Sequence, residues 1–185
     1  MNRDAKVKKW RKSGPAEVVL SKFGKFAKRQ FFVDPRDGSS HEYLFVGEPD
    51  SVGIVALTKE NEIILTRGFK QAADEILTEI PAGVIDKGES PLETARRELE
   101  EETGYGSRKI RQIGRFMRST RSIPVWSHCF LAVDCRKIKN PRTDNEEDLE
   151  ILKKPFEDWV DQVKKGRVSD CLSVIATFLA LDYLK

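Results

Sequence analysis

Residues 83–105, GVIDKGESPLETARRELEEETGY, predict a loop followed by a helix that is capped at both ends. Ser90 suits the N-cap, Pro91 suits the first helical position, and Glu93 completes a capping box. Gly104 is placed to end the helix. Three apolar residues recur at spacings of three and four: Leu92, Ala95 and Leu99. This pattern is typical of an amphipathic helix that buries one face against a core.

The same helix carries a cluster of carboxylates. Glu98, Glu101 and Glu102 project in one direction, because residues three and four apart share a helix face. Like charges at this spacing cost about 0.2–0.5 kcal/mol per pair, so a compensating partner is expected. Three converging carboxylates suit Mg²⁺ or Mn²⁺, which prefers oxygen ligands and retains water for a phosphate-bearing substrate. The spacing alone leaves open a solvated charged face in which Arg96 and Arg97 form ion pairs.

Five residues separate Gly83 from Glu89, and seven more separate Glu89 from the run RELEEETG at residues 97–104. This spacing resembles the Nudix box of the Nudix hydrolases. Only the last apolar position is unusual, because it holds Tyr105 rather than a small aliphatic residue. The resemblance implies a Mg²⁺-dependent hydrolase of a nucleoside diphosphate linked to another moiety.

The resemblance also implies roles for individual residues. It implies four metal ligands: the carboxylates of Glu98, Glu101 and Glu102 and the carbonyl of Ala82. Glu98 and Glu102 are the principal ligands in this interpretation, and Glu101 also takes part in catalysis. Arg97 is expected to orient a helix glutamate, and Glu89 is expected to tie the preceding loop to the helix.

The segment before the box resembles one subgroup of this family. RGFKQAADEILTEIPAG, residues 67–83, is similar to the segment found there in ADP-ribose pyrophosphatases and related nucleoside diphosphate sugar hydrolases. That likeness implies that Arg67 reaches a phosphate and that Glu79 lies near the nucleoside or the metal. Lys70 stands where an arginine is common, and an ammonium is a point charge without a bidentate fork. For Arg67, an ordinary strand-end arginine facing water is the alternative.

The segment beyond the box supplies further cations. Residues 115–126, RFMRSTRSIPVW, contain Arg115, Arg118 and Arg121. Arg118 and Arg121 are candidates to bind a diphosphate or a distal sugar phosphate. ADP-ribose pyrophosphatases often carry Ser-Pro-Gly where this chain has Ser119-Thr120-Arg121. Because of this difference, GDP-mannose or another nucleoside diphosphate hexose remains an alternative substrate to ADP-ribose.

TDNEEDLEI, residues 143–151, matches an acidic loop that supplies a catalytic glutamate in members of this subgroup. Glu147 is therefore the first candidate for the general base and Glu146 the second. Metal binding lowers the pKa of water, so positioning and electrostatics can supply most of the catalysis. A solvated acidic loop without a chemical role is the alternative.

Two regions are expected, residues 1–50 and residues 51–185. The first contains short β-prone runs that predict an antiparallel sheet. The resemblance implies that this sheet is exchanged within a homodimer and that one of its aromatic residues stacks on the base. The available rings are Phe23, Phe31, Phe32 and Tyr43. The second region alternates strands and helices, which predicts an α+β fold, a Nudix-type α/β/α sandwich with a mixed sheet.

The amino-acid composition argues against several other classes of protein. The 33 basic and 30 acidic residues give a formal net charge of +3, too weak a field to indicate nucleic acid. No run approaches the ~18 apolar residues of a membrane span. The odd set Cys129, Cys135 and Cys171 has no CxxC spacing, so we expect a reduced, cytoplasmic protein. A Nudix-like sensor without turnover is the alternative of another class, which the intact carboxylate cluster disfavours.

Overall fold

The structure is a computed structural model that describes residues 7–22, 24–142 and 149–184. The chain forms two compact units. One comprises Met1–Pro49 and Met117–Val125, and the other comprises Asp50–Phe116 and Trp126–Lys185. Among the described residues, no helix is both long and apolar enough to cross a bilayer.

The first unit is built on a three-stranded antiparallel sheet, as the sequence predicted. Its strands, in spatial order, are β1 (Arg11–Lys22), β2 (Lys25–Val33) and β3 (Ser40–Gly47). Gly24 adopts a φ of 74° in the tight connection between β1 and β2, a conformation that favours glycine. Every described residue of β1 is exposed. Within the described part of the chain, the sheet therefore presents a long and exposed outer strand.

A mixed sheet forms the framework of the second unit. Its strands are β4 (Ser51–Thr58), β5 (Glu62–Lys70), β6 (Glu75–Glu79), β7 (Ala82–Val84), β8 (Tyr105–Gly106), β9 (Lys109–Ser119), β10 (Ile123–Lys137) and β11 (Glu150–Pro155). The spatial order is β11-β5-β4-β10-β8, with β6 beside β5, β7 beside β4 and β9 beside β10. Strands β4 and β10 run parallel at the centre. The tip of the β9–β10 hairpin belongs to the first unit.

Helices cover both faces of the central strand β4. They are α1 (Pro91–Thr103), α2 (Phe156–Lys164) and α3 (Cys171–Leu181). Val55 and Leu57 share an apolar cluster with α2 and α3, whereas Val52 and Ile54 share one with α1. Successive side chains of a strand point to opposite faces, so these clusters are the two halves of a sandwich. The predicted α/β/α architecture is confirmed.

The predicted ends of α1 are also confirmed. The Ser90 hydroxyl accepts a hydrogen bond from the Glu93 backbone N–H, and the Glu93 carboxylate accepts one from the Ser90 N–H. Gly104 closes the helix in the left-handed conformation, with φ of 74°. Strand β11 was not expected, because it forms by pairing with β5, whose partner residues lie 83 to 93 positions earlier in the chain.

Candidate active site

Strand β7 brings the chain to the start of the site. The N–H of Ile54 on β4 donates to the Pro81 carbonyl at 2.9 Å, just before β7 begins. Just after β7 ends, the N–H of Ile85 donates to the Asp50 carbonyl at 2.7 Å. These bonds fix both ends of the short strand, so the loop that follows and α1 start from a defined position.

Arg97 gathers three carboxylates around one guanidinium. Its Nε and Nη2 atoms donate to Glu89 at 3.1 and 2.9 Å. Its Nη1 atom donates to Glu98 at 2.7 Å and to Glu101 at 3.2 Å. A guanidinium has five N–H donors in a planar fork, which allows this shared arrangement. Arg97 therefore couples the loop before the helix to two of the three predicted metal-binding glutamates.

This network shifts the acid–base properties of its members. The Arg97 side chain donates to Glu89 and holds the pKa of that carboxyl below its usual value, and the Thr94 hydroxyl adds to the effect. The pKa of Arg97 is raised, chiefly by its hydrogen bonds to Glu89. The ion pair between loop and helix therefore persists through the neutral pH range.

Glu102 links the helix directly to β7. Its Oε2 atom accepts a hydrogen bond from the Ala82 N–H at 3.0 Å. The Glu102 carboxylate thus lies next to the residue whose carbonyl is the predicted fourth ligand. Glu98 approaches the neighbouring residue so closely that a Cβ atom on Gly83 would overlap its carboxylate. Gly83 therefore leaves the space that the Glu98 carboxylate occupies, and a larger residue there would displace that carboxylate.

The carboxyl end of α1 is joined to the segment that follows β10. The Gly104 carbonyl accepts hydrogen bonds from the N–H groups of Ile138 at 2.8 Å and Lys139 at 3.2 Å. The Arg142 N–H donates to the Glu101 carbonyl at 2.7 Å. A Cβ atom on Gly104 would overlap the Lys139 carbonyl oxygen, so this junction also needs glycine.

The predicted ligand set fits a hard divalent cation by its chemistry. Within the described ranges, no group of three or more Asp, Glu, His or Cys side chains converges in a geometry that could hold a metal. Arg97 engages Glu98 and Glu101, and the Ala82 amide engages Glu102. All the donors are nevertheless oxygen atoms on one helix face and one adjoining strand, which is the ligand type that Mg²⁺ prefers.

Arg67 and Glu79 lie on adjacent antiparallel strands but have different partners. Arg67 Nη1 lies 3.5 Å from Glu150 Oε2, and both side chains are about half exposed, so this contact is a weak surface pair. Glu79 is more enclosed, and Lys70 Nζ lies 2.7 Å from its Oε2. Lys70 therefore neutralises Glu79 here. Sequence spacing did not indicate this pair, because the two residues are not opposite each other in the β5–β6 register.

Arg118 and Arg121, both in the first unit, have separate surroundings. Arg118 forms an ion pair with Glu48. Arg121 lines a cavity of about 330 Å³ in the company of Thr120 and several aromatic rings. The rings that line this aromatic cavity are Trp10, Phe32, Tyr43 and Phe45. Trp10 was not among the predicted stacking residues, because it precedes the β-prone runs, but its ring lies 6.2 Å from that of Tyr43.

Arg115, the third arginine of that segment, lies in the second unit. Its guanidinium carbon lies 4.6 Å from the centre of the Trp126 ring, a cation–π distance. Glu146 and Glu147, the candidates for the general base, fall outside the described residues, as does Phe23. Their roles stay predictions.

Known sequences resemble most of this chain. The ADP-ribose pyrophosphatase of Bacillus subtilis (strain 168) is 34% identical over 154 residues, which cover 83% of this chain and 81% of that protein. The methanol dehydrogenase activator of Bacillus methanolicus is 30% identical, with 78% of each chain covered. A GDP-mannose pyrophosphatase of Escherichia coli (strain K12 / DH10B) is 29% identical, with 69% of each covered.

The fold and the domain family agree with these relatives. A solved structure described as an ADP compounds hydrolase superposes with a TM-score of 0.83 at 21% identity, covering 98% of this chain and 97% of that one. At that identity the likeness shows the fold alone. The sequence model of the NUDIX domain matches residues 47–165, which include the whole Arg97 network. The chain therefore belongs to the Nudix hydrolase family, as residues 83–105 predicted.

Proposed function

We propose that this protein hydrolyses the diphosphate of a nucleoside diphosphate sugar with Mg²⁺, and that its substrate is ADP-ribose, which gives AMP and ribose 5-phosphate. Mn²⁺ has the same preference for oxygen ligands and is a possible substitute. The observation that carries the proposal is the position of Glu98, Glu101 and Glu102 on one helix, tied by Arg97 and by the Ala82 amide. The Bacillus subtilis relative supports the choice of ADP-ribose.

Hydrolysis adds water across the P–O–P linkage. The water oxygen bonds to one phosphorus, the bridging P–O bond breaks, and the bridging oxygen leaves with the other phosphate. A bound divalent cation polarises the phosphoryl oxygens and makes water easier to deprotonate. The three glutamates and the Ala82 carbonyl would hold this cation, and Arg97 would orient Glu98 and Glu101. Glu147, or else Glu146, accepts the proton of the attacking water.

Cationic side chains neutralise the substrate's phosphates in this proposal. Arg67 and Arg118 each hold a carboxylate through a surface contact, and exchanging a carboxylate for a phosphate oxygen preserves a charge-assisted hydrogen bond. Glu79, which pairs with Lys70 through one carboxylate oxygen, contacts the nucleoside or the metal in this proposal. The aromatic cavity of the first unit is by itself suited to stack a base, because ring faces stack on any base and Arg121 adds a planar donor group.

A substrate panel tests the proposal. We expect kcat/KM for ADP-ribose to exceed that for GDP-mannose, UDP-glucose and ATP by about tenfold or more, because groups that bind one substrate remain unpaired with another. Coupled phosphate release with purified protein and Mg²⁺ measures all four. Tight binding of every nucleotide sugar without any turnover would instead identify a sensor.

GDP-mannose is the second candidate for a specific reason. Ser119-Thr120-Arg121 replaces the Ser-Pro-Gly of many ADP-ribose pyrophosphatases, and Thr120 and Arg121 line the aromatic cavity. The Escherichia coli GDP-mannose pyrophosphatase is also a relative. A higher kcat/KM for GDP-mannose than for ADP-ribose would make this turn the specificity determinant.

We also propose that residues 1–50 form the contact surface of a homodimer. Val18, Val19 and Leu20 on β1 are 54%, 58% and 63% exposed, which is unfavourable for an outer strand in water. Light scattering of the full chain is expected to give twice the monomer mass. Leu20→Glu should shift the protein to monomer, whereas Arg167→Glu, an exposed charge reversal outside residues 1–50, should not. A wild-type monomer at micromolar concentration would contradict the proposal.

A further inference from the structure

A second cavity lies on the other side of α1, within the second unit. It encloses about 600 Å³, and α1 contributes Arg96 and Glu100 to its lining. At 3.6 residues per turn, these two positions lie about 160° around the helix from Glu98. The cavity is therefore separate from the predicted metal site, although one helix borders both.

The charge in this cavity is unbalanced. Its two carboxylates already have partners, because Lys139 Nζ lies 3.4 Å from Glu100 and Lys109 Nζ lies 2.7 Å from Asp134. Its three arginines, by contrast, form no ion pair with any described carboxylate: Arg96, Arg108 and Arg136. The Lys109 ammonium holds the pKa of Asp134 below its usual value, and Lys59 and Arg136 contribute to the same effect. The local field is therefore positive.

The backbone around the cavity is held in an unusual conformation. Asp134 has a φ of 56°, in the left-handed region, and the pairing of β10 with β4 is irregular between Ala132 and Cys135. The Lys109 N–H donates to the Ser107 hydroxyl at 2.9 Å, and Arg136 is paired with Gly106 on β8. Such outliers persist where surrounding structure fixes them. The cationic side chains of Lys109 and Arg136 are therefore attached to backbone whose conformation is fixed by these contacts.

These features indicate the class of ligand. Small-molecule sites typically enclose roughly 300–1,000 Å³, and guanidinium groups bind phosphate oxygens in pairs. None of the described residues that line this cavity is aromatic, so they offer no surface for stacking a base. We propose that the cavity binds a phosphate-bearing small anion, such as inorganic diphosphate, through Arg96, Arg108 and Arg136. This site is additional to the hydrolase site and does not depend on the proposed substrate.

The test is calorimetric titration of the full chain with inorganic diphosphate at low salt in the presence of EDTA. Chelation removes divalent cations, so binding through the predicted metal site is eliminated. We expect Arg108→Gln and Arg136→Gln each to weaken binding roughly tenfold, because each removes a charge-assisted contact. Arg167→Gln, an exposed arginine of the same unit outside the cavity, should change binding less than about twofold because it removes only distant charge.

Amide chemical shifts locate the ligand independently of the variants. Diphosphate should move the signals of residues 106–109 and 134–136, and AMP, with one phosphate, should move them less. The proposal is overturned if diphosphate does not bind, if only a polynucleotide binds, or if Arg118→Gln weakens binding while the cavity variants do not. Unchanged melting temperatures would show that the variants fold. The test measures binding of diphosphate and not turnover, so a variant that loses hydrolysis would not change its outcome.

Discussion

Replacing Glu102 by glutamine is expected to lower kcat for the preferred nucleotide sugar by roughly 10²–10⁴-fold, because metal stabilisation of phosphoryl transfer is worth several kcal/mol. The amide is neutral and is a poor ligand for a hard cation. The fold should be retained, because the amide oxygen can still accept the hydrogen bond that Glu102 receives from the Ala82 N–H at 3.0 Å. Steady-state kinetics across a Mg²⁺ series, together with thermal unfolding, measures both effects.

Glu93→Gln is the matched control for this experiment. It makes the same chemical change on the same helix, and glutamine also suits the third position of a capping box. Its kcat and stability should stay close to those of the wild type. If Glu102→Gln retained wild-type turnover in excess Mg²⁺, the assignment of the metal site to α1 would be wrong.

Replacing Gly104 by alanine is expected to lower the free energy of unfolding by about 2–4 kcal/mol, from left-handed strain and from overpacking. Gly104 has a φ of 74°, and an added Cβ atom would overlap the Lys139 carbonyl. Relieving that overlap requires the backbone to move at residue 104 or at Lys139. Urea unfolding of the variant and the wild type measures the difference at constant m-value.

Gly166→Ala separates left-handed backbone strain from overpacking. Gly166 has a φ of 66°, but an added Cβ atom there would meet nothing within 4 Å. This variant should therefore lose only the conformational part, about 1 kcal/mol. Equal losses of unfolding free energy in the two variants would mean that overlap with the Lys139 carbonyl adds nothing to the cost at Gly104. A Gly104→Ala protein as stable as the wild type would show that the junction does not need glycine.

The elements that could be predicted from the sequence depend on short-range signals. The ends of α1 are specified by Ser90, Glu93 and Gly104, all of which act within one turn of the helix boundary. The apolar stripe of the same helix identified its buried face in part: Ala95 and Leu99 are buried, but the prediction was wrong for Leu92, which lies in the first turn and is 39% exposed. Helix periodicity predicted only that Glu98, Glu101 and Glu102 share a helix face; their convergence on a metal stays a prediction, because no such group forms among the described residues.

Contacts between distant segments could not be predicted in this way. The bond from Ala82 to Glu102 joins residues twenty apart, and the space that Gly83 leaves is filled by the carboxylate of Glu98. The sequence motif identified that glycine, but its physical reason appears only when loop and helix are packed together. The pairing of Lys70 with Glu79 likewise depends on the path of the β5–β6 hairpin.

The junction at the end of α1 couples two regions of the hydrolase. Ile138, Lys139 and Arg142 donate to carbonyls of Gly104 and Glu101, and residue 143, where the acidic stretch begins, is the next residue in the chain. Fraying of the last helical turn would break these bonds. Fraying of the helix end is therefore expected to detach residues 138–142 as well, because the carbonyls that hold those residues belong to the last helical turn and its cap. A single local unfolding step would thus disorganise the helix that carries the glutamates and release the attachment point of the predicted base.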